Sequence, residues 1–243
     1  MMHLPILGAG QREPFPDVES ALAEPDGLLA AGGDLSPERL LDAYRHGIFP
    51  WYSDGQPILW WSPSQRTVFD TDSVHVPRRL ARWLRQCDWT IHADTAFGEV
   101  MRACAAPRRH ERGTWITADM LAAYVRLHEF GHAHSIEVCD ADGRLAGGIY
   151  GVAIGRMFCG ESMFSAQTNG SKVALLALCR ALEGWGFPLL DAQVASDHLF
   201  TLGARDMPRL GFCAQVAALA ARPGRAGAWT GDFPVTAAAG LAG

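Results

Sequence analysis

The segment GGIYGVAIGRMFCGESMFS, residues 147–165, predicts the centre of the fold, because it contains two strand-forming runs joined by a short turn. Both runs are apolar and aromatic, and the connection Ile154-Gly155-Arg156 is short enough for a hairpin. HSIEVC, residues 134–139, predicts a preceding strand, with the turn DADG at residues 140–143 between them. Three consecutive strands with short connections predict an antiparallel meander.

The pattern on either side of this meander is helical. ITADMLAAYVRLHEFG, residues 116–131, has helical period, and Gly131 stands where a helix is expected to end. After the meander, residues 171–186 predict an apolar-faced helix, residues 187–194 a buried strand and residues 198–204 a short helix. The order α, β, β, β, α, β, α predicts an α+β fold with helices on the faces of a mixed sheet.

A separate unit is predicted before this region. Ser36 suits an N-cap, Pro37 the first helical position and Gly47 a left-handed stop, so one short helix is expected. The aromatic segments FPWY at residues 49–52 and WWSP at residues 60–63 predict loops packed on a neighbour. We therefore expect a small N-terminal domain at residues 1–65 and a larger domain at residues 66–243.

The composition is that of a globular protein. A chain of 243 residues with 49% hydrophobic and 19% charged residues can bury a sizeable core, and its formal charge of -5 argues against a wholly basic nucleic-acid binder. The six cysteines include no C-x-x-C pair, and neither a signal peptide nor a long apolar run is recognisable. We expect a cytoplasmic protein. Residues 214–243 are rich in Ala and Gly, so much of this tail is expected to be poorly ordered.

Positive charge is concentrated locally, in VPRRLARWLRQ at residues 76–86. Arg78, Arg82 and Arg85 share one helical face, and residues 75–112 contain eight arginines against four acidic residues. An ordinary solvated face and a surface for a polyanion both explain this pattern, and the arginines alone do not separate the two.

HEFGH, residues 128–132, matches the H-E-x-x-H pattern of zinc peptidases. Such a site needs both histidines on one continuous helix. Gly131 and the strand-forming SIEV after it instead predict that the helix ends at about residue 130, which takes His132 away from the face of His128. No metal is expected, and His128 is interpreted as a packed core histidine.

Polar residues interrupt two predicted strands. Strict alternation puts Glu161 on the same side as Met163 and Ser165. In the other strand it puts Asp191 and Gln193 on one side and Ala192 on the opposite side. Burying such groups is costly unless they are paired, so a structural polar network and a functional site are both compatible with the pattern.

Seven blocks of the chain carry a resemblance to a known family. They are EPDGLLAAGGDLSPERLLDAYRHGIFPW, ILWWSPSQRTVF, GTWIT, LHEFGHAHSIEV, GGIYGVAIGRMFCGESMFS, NGSKVALL and LLDAQVASDHLFTLGA, and the match runs from about residue 15 to residue 212. With these blocks the chain resembles the bacterial leucyl/phenylalanyl-tRNA-protein transferases. Two positions depart from the family pattern. Ala192 stands where the family often has the cysteine of a DCQ motif, and Ala166 stands where an arginine often follows GESMFS.

The resemblance implies an aminoacyltransferase. Enzymes of this family move leucine or phenylalanine, with methionine a further candidate donor, from aminoacyl-tRNA to the N-terminal amine of proteins that begin with arginine or lysine. This marks the acceptor for degradation in the N-degron pathway. The resemblance also implies that the larger domain has a fold like that of the N-acetyltransferase superfamily. Aminolysis of an ester is downhill, so neither a cofactor nor a metal is expected.

The resemblance assigns roles to particular residues. Trp51 and Trp115 match positions that embrace the terminal adenosine of the tRNA, which suits the stacking surface of an indole. Glu161 matches the acid that meets the cationic acceptor peptide, and Asp191 with Gln193 matches the pair that activates the attacking amine. A carboxamide is too weak a base to take a proton, so Gln193 is expected to accept a hydrogen bond from the amine. Proton transfer through the 2′-hydroxyl of the tRNA is an equally compatible alternative.

Two further sets of residues complete the expected site. The aminoacyl side chain is expected in an apolar pocket to which Ile149, Phe158, Met163 and Leu190 contribute. The acceptor-stem phosphates are expected at Arg78, Arg79, Arg82 and Arg85.

The alternative function is that of an acyl-CoA-dependent N-acyltransferase on the same fold. Its pyrophosphate loop has the pattern [QR]-x-x-G-x-[GA], which residues 167–172, QTNGSK, match except for the final small residue. A tRNA-binding module without catalysis is disfavoured by the polar residues in the strands.

Overall fold

The computed structural model describes residues 4–10, 13–106 and 114–242. The N-terminal part contains strands β1 (Ile6–Leu7), β2 (Leu28–Gly32), β3 (Phe49–Pro50) and β4 (Leu59–Trp61) and helix α1 (Pro37–Arg45). The larger part contains strands β5 (Gln65–Asp70), β6 (Thr90–Ala93), β7 (Ala133–Cys139), β8 (Leu145–Ile154), β9 (Met157–Ser165), β10 (Leu189–Gln193) and β11 (Arg205–Pro208). Its helices are α2 (Arg78–Leu84), α3 (Phe97–Ala105), α4 (Ala118–Glu129), α5 (Gly170–Gly184), α6 (Asp197–Phe200) and α7 (Arg209–Ala220).

In the aromatic segments FPWY and WWSP, Trp51-Tyr52 and Ser62-Pro63 lie outside strands, but the first two residues of each segment belong to β3 and β4, where the prediction of loops was wrong. They pair in a four-stranded sheet of order β1-β2-β4-β3, in which Phe49 lies opposite Trp61. The Trp60 side chain is fully buried, and its indole N–H donates to the carbonyl of Gly32 at 2.9 Å. These strands are only two to five residues long, too short for an alternation pattern to be recognised.

The second sheet has seven strands in the order β11-β5-β10-β9-β8-β7-β6. Strands β9 and β10 run parallel, and the other described pairs of this sheet are antiparallel. The predicted hairpin is present, with Ile154 opposite Met157 and Gly155 at φ +53° in the turn. The α+β class, with a small N-terminal sheet followed by a mixed-sheet domain, is confirmed.

Helices cover both faces of the large sheet. On the front face, side chains of α1, α3, α4 and α7 pack on Tyr150, Val152 and Cys159. On the back face, α5 packs against β7, β8 and β9, and α2 belongs to the same buried cluster and contacts residues 238–241. The front-face core is continuous with buried residues of the N-terminal sheet, so the two sheets share one core. The division after residue 65 remains a prediction.

The C-terminal segment is ordered where it was expected to be disordered. Helix α7 continues to Ala220, and beyond it the side chains of Trp229, Phe233 and Leu241 are buried in the back-face core. The Trp229 ring stacks on His134 with centroids 3.8 Å apart. A few large residues therefore anchor a segment whose Ala and Gly content suggested disorder. No helix in the described ranges is long and apolar enough to cross a membrane.

Candidate active site

A β-bulge in β9 places the side chains of Glu161 and Met163 on opposite faces of the sheet. Tyr150 pairs with Ser162 and Gly151 pairs with Gly160, so Glu161 is an extra residue without an opposite partner. Up to Glu161 the strand alternates regularly, with Met157 and Cys159 in the front-face core and Phe158 in the back-face core, so Glu161 points to the front face. The extra residue then turns Met163 to the back-face core. The prediction that Glu161 and Met163 share a face was therefore wrong, since strict alternation does not survive a bulge.

The Glu161 carboxylate is buried in a hydrogen-bonded network. One oxygen accepts from the Gln193 side-chain amide at 2.7 Å and the other from the Tyr124 hydroxyl at 3.1 Å. The Tyr124 hydroxyl is also hydrogen-bonded to that of Tyr44. Burial raises the pKa of Glu161 to about 7, although the hydrogen bonds from the tyrosines and Gln193 oppose the rise. This carboxyl group therefore exchanges its proton near neutral pH.

Gln193 adopts an unusual backbone conformation at the end of β10. Its φ is +64°, in the left-handed region, and the pairing of β10 with β5 is irregular between Asp191 and Gln193. Its backbone N–H donates to a carboxylate oxygen of Asp191 at 2.8 Å. Its side-chain NH₂ is directed at Glu161, and its amide oxygen, which can accept a hydrogen bond, receives none from residues 4–10, 13–106 and 114–242.

Asp191 lies on the same face as Gln193, as predicted, but it bonds to the backbone of Gln193 and not to its side chain. The Asp191 carboxylate is fully buried and receives two further hydrogen bonds from Arg66, at 3.0 and 2.7 Å. Ala192 points to the back face, opposite the pair, as predicted. Sequence reasoning missed Arg66, because its partner lies 125 positions away and no local pattern joins the two.

A cavity of about 410 Å³ has a lining of mixed polarity, in which residues of the back-face core are joined by Glu161, by Trp115 and by polar side chains such as Ser171 and His198. Three of the four residues predicted for the aminoacyl pocket, Ile149, Met163 and Leu190, line it. Phe158 is not in the lining; it packs deeper, against Trp229 at 5.7 Å between ring centroids. The remaining lining residues include Phe69, Trp115, Leu175, Ala192, Ser196 and Leu199. Of these, Phe69, Leu175 and Leu199 stand within the sequence blocks quoted above but were not predicted for the pocket.

Two sequence profiles match the chain. The profile described as leucyl/phenylalanyl-tRNA protein transferase matches residues 68–217. The profile described as the N-terminal domain of the same transferase matches residues 33–64. The chain belongs to the leucyl/phenylalanyl-tRNA-protein transferase family.

Individual members of the family are similar over nearly the whole chain. The leucyl/phenylalanyl-tRNA--protein transferase of Xanthomonas euvesicatoria pv. vesicatoria (strain 85-10) is 59% identical over 237 residues, which cover 97% of this chain and 94% of that protein. The protein of the same description from Thiobacillus denitrificans (strain ATCC 25259 / T1) is 57% identical over 218 residues, covering 90% and 95%. These matches support the transferase and not the acyl-CoA alternative.

Similarity to solved structures is much weaker. The structure of L-PGS from Bacillus licheniformis is 10% identical, covers 69% of this chain and 53% of that chain, and has a TM-score of 0.39. The family assignment therefore rests on the sequence matches.

The two tryptophans expected to hold adenosine in this transferase family lie on neighbouring segments. Trp51 is 45% exposed and tilts against Trp61, and Trp115 is partly buried at the edge of the cavity. The Tyr52 hydroxyl and the Thr117 side-chain oxygen, which flank the two tryptophans in sequence, are 3.4 Å apart. Trp51 does not line the cavity itself.

Helix α2 presents the four predicted arginines to solvent. Its Leu80 and Leu84 side chains are buried, while Arg78, Arg79, Arg82 and Arg85 are exposed. None of the four forms an ion pair within residues 4–10, 13–106 and 114–242. Their charge is therefore unneutralised by the described part of the chain. Arg108, Arg109 and Arg112, which contribute to the same concentration of charge, lie outside the described residues.

The zinc-like HEFGH stretch lies where a helix gives way to a strand. Helix α4 ends at Glu129, and Gly131 has φ +74°. The His128 ring stacks on Phe97 at 4.3 Å, and its Nδ1 is hydrogen-bonded to the carbonyl of Ala133 at 2.8 Å. Within the described residues there is no group of three or more side chains that could hold a metal ion.

Proposed function

We propose that this chain transfers leucine or phenylalanine, with methionine as a further candidate donor, from aminoacyl-tRNA to the N-terminal amine of proteins that begin with arginine or lysine. The observation that carries the proposal is that the buried Glu161 carboxylate, which is hydrogen-bonded by the Gln193 amide, lines the same cavity as Ile149, Met163 and Leu190. Family membership supports the reaction class. Because aminoacyl-tRNA is a cytoplasmic molecule, the proposed reaction takes place in the cytoplasm and marks the acceptor for degradation.

The donor side chain occupies the cavity in this proposal. A volume of about 410 Å³ lies in the usual range for small-ligand sites. Met163 is flexible, so it adapts to the different shapes of leucine and phenylalanine. The terminal adenosine stacks on Trp51 and Trp115, whose exposed and partly buried indoles lie on neighbouring segments.

The acceptor approaches Glu161 from the cavity side. As a carboxylate, Glu161 attracts the cationic side chain of an N-terminal arginine or lysine. The free amide oxygen of Gln193 accepts a hydrogen bond from the α-amine and so aligns its lone pair with the ester carbonyl. The α-amine has a pKa of about 7.7 to 8.0, so an appreciable fraction of it is already neutral near pH 7 and a strong base is unnecessary.

The reaction itself is the aminolysis of an ester. The amine nitrogen forms a bond to the aminoacyl carbonyl carbon, the bond from that carbon to the 3′ oxygen of the tRNA breaks, and the nitrogen loses one proton to the leaving oxygen. In the proposal Gln193 orients the amine and Asp191 fixes Gln193. If Gln193→Ala and Asp191→Asn retain most of the rate of the chemical step at every pH, proton transfer through these residues is excluded and the 2′-hydroxyl route remains.

A transfer assay tests the proposed function. The enzyme is incubated with labelled leucyl-tRNA, phenylalanyl-tRNA or acetyl-CoA and a peptide that begins with arginine. We expect label from both aminoacyl-tRNAs on the peptide and none from acetyl-CoA. The same peptide with an acetylated N-terminus is the matched control and should accept nothing. Label that arrives from acetyl-CoA alone would refute the proposal.

The arginines of helix α2 are proposed to bind the acceptor-stem phosphates. Replacing Arg78 and Arg82 with glutamine should weaken tRNA binding and reduce the salt dependence of binding by about one ion for each phosphate that is no longer bound. Arg144→Gln is a matched control, because Arg144 is exposed but paired with Asp142. An unchanged salt slope in the double variant would place the phosphates elsewhere.

A further inference from the structure

Arg66 is a fully charged side chain in the interior of the protein. It lies on β5, is 1% exposed and uses its Nε and one Nη atom to bind both oxygens of Asp191. Its other Nη atom donates to the carbonyl of Gly47 at 2.8 Å. Three hydrogen bonds therefore fix the guanidinium plane in one orientation.

Two aromatic rings enclose the same guanidinium. Its central carbon lies 4.7 Å from the ring centroid of Phe49 and 4.6 Å from that of Phe212. Phe49 belongs to β3 of the N-terminal sheet, and Phe212 belongs to α7. Arg66 thus joins the N-terminal sheet, the C-terminal helix and strand β10 at one point.

Arg66 remains charged despite its burial. Burial alone would lower its pKa, but the adjacent Asp191 carboxylate raises it further than burial lowers it. Separating the two partners of such a buried ion pair is costly, because each would become an uncompensated charge in the interior.

The strain at Gln193 depends on this ion pair. A residue other than glycine in the left-handed region persists only when its surroundings hold it there. One such restraint is the hydrogen bond from the Gln193 N–H to Asp191, whose carboxylate is itself fixed by Arg66. The backbone of Gln193 in turn directs its side-chain amide to Glu161.

We propose that Arg66 is a positioning residue for the transfer reaction: it fixes Asp191, and through Asp191 the left-handed backbone and the amide direction of Gln193. The same guanidinium holds Gly47 and Phe49, and Phe49 lies two residues before Trp51 on the segment proposed to stack the adenosine. The kinetic part of this inference rests on the proposed function.

A double-mutant cycle between Arg66→Lys and Gln193→Ala tests the inference. Lysine keeps the charge but cannot bind both oxygens of Asp191 and Gly47 together. We expect Arg66→Lys to lower kcat about 100-fold, with KM for aminoacyl-tRNA changed less than about threefold. In the Gln193→Ala background the same substitution should cost less than about threefold, because the residue it positions is absent.

Arg205→Lys is the matched control. Arg205 also binds both oxygens of a carboxylate, that of Asp70 at 2.6 and 2.8 Å, but this pair is exposed at the edge of the same sheet. It should leave kcat unchanged. An equal loss from Arg66→Lys in the presence and absence of Gln193 would overturn the inference, since a general structural role predicts equal losses.

Two measurements keep the test independent of protein yield and of the proposed function. Adding guanidinium ions at millimolar concentration should restore kcat to Arg66→Ala but not to Gln193→Ala, and failure to restore it counts against positioning. A crystal structure of Arg66→Lys should show Gln193 outside the left-handed region. An unchanged Gln193 conformation overturns the inference even if the wild-type protein transfers no aminoacyl group, whereas absence of transfer by the wild-type protein refutes the proposed function alone.

Discussion

Two buried polar clusters lie in the same sheet and differ in how their carboxylates are used. At the β6–β7 edge, Asp94 accepts a hydrogen bond from the His134 ring at 2.8 Å. It also accepts hydrogen bonds from the backbone N–H groups of Ser135, at 2.9 Å, and Trp229, at 2.7 Å. At the centre of the sheet, Glu161 is held by two neutral donors at the edge of a cavity. In the first cluster His134 Nε2 and Trp229 Nε1 are buried without a hydrogen-bond partner in the described part of the chain, whereas Glu161 of the second cluster lines a cavity.

The charges of the two carboxylates follow from this difference. Burial tends to raise the pKa of Asp94, but the hydrogen bond and charge of His134, with backbone N–H donors, lower it below its usual value. Burial raises the pKa of Glu161 to about 7, and its neutral partners do not reverse the effect. Asp94 therefore stays ionised as a structural hydrogen-bond acceptor, while Glu161 can lose its proton near neutral pH when a cation binds beside it.

The largest expected effect concerns the structural cluster. Trp229→Ala removes the ring that stacks on His134, and we expect a loss of about 4 kcal/mol in the free energy of unfolding. The folded variant should keep its kcat, because Trp229 is remote from the Glu161 network. Urea denaturation measures the loss, with Trp51→Ala, on an exposed tryptophan, as a control that costs less than about 1 kcal/mol. A loss as small as that of the control would contradict an anchoring role.

The next effect is the pH dependence of stability. Folded Glu161 binds its proton more tightly than unfolded glutamate does, so its contribution to stability declines as the pH rises from about 4.5 to about 7. Relative to Glu161→Gln, wild-type protein should lose about 3 kcal/mol between pH 4 and pH 8, as measured by denaturation. Relative to Asp94→Asn, wild-type protein should instead lose stability as the pH falls. The contribution of the Asp94 carboxylate to stability is present above the usual carboxyl pKa and is lost in acid. Stability curves of wild type and Glu161→Gln that run parallel would contradict the expected proton uptake.

A somewhat smaller free-energy change is expected in catalysis. Gln193→Ala removes the amide proposed to align the amine, and kcat should fall about 100-fold with little change in stability. Single-turnover transfer of leucine to a peptide that begins with arginine measures the effect. His134→Gln, in the structural cluster, should instead reduce stability and spare kcat. If Gln193→Ala retains kcat, the amide has no role in the chemical step.

The smallest effect is expected at the zinc-like stretch. His128 is already hydrogen-bonded to Ala133 and stacked on Phe97, so it is interpreted as a structural residue. His128→Gln should change kcat less than about threefold and stability by about 1 kcal/mol. Treatment of the wild-type protein with a strong zinc chelator should leave activity unchanged. A loss of activity that zinc restores would reverse this interpretation.

Much of the central sheet was predictable because its strands and helices follow simple periodic patterns. The hairpin of β8 and β9 and the end of α4 at Gly131 are examples. The opposite directions of Glu161 and Met163 were not predictable, since one unpaired residue opposite Tyr150 and Gly151 leaves no trace in a pattern of apolar and polar residues. The left-handed Gln193 was missed for a related reason, because nothing in the local sequence requires it.

Long-range partners account for the rest of what the sequence did not reveal. The ion pair of Arg66 with Asp191 and the stacking of Trp229 on His134 join residues far apart in the chain. The C-terminal segment was predicted to be poorly ordered because it is rich in Ala and Gly. A prediction from average composition gives little weight to a single tryptophan. Burial of that tryptophan, which no local pattern reports, decides the outcome.

The shared front-face core predicts that the two sheets unfold as a single cooperative unit. Tyr44, Phe49 and Trp60 from the N-terminal part pack in the same cluster as Tyr150 and Phe212 from the larger part. A calorimetric scan should therefore show one melting transition for both sheets. A chain that began at residue 66 would leave this apolar surface uncovered, and aggregation would be its expected fate. We therefore expect that neither of the two sequence domains is stable on its own.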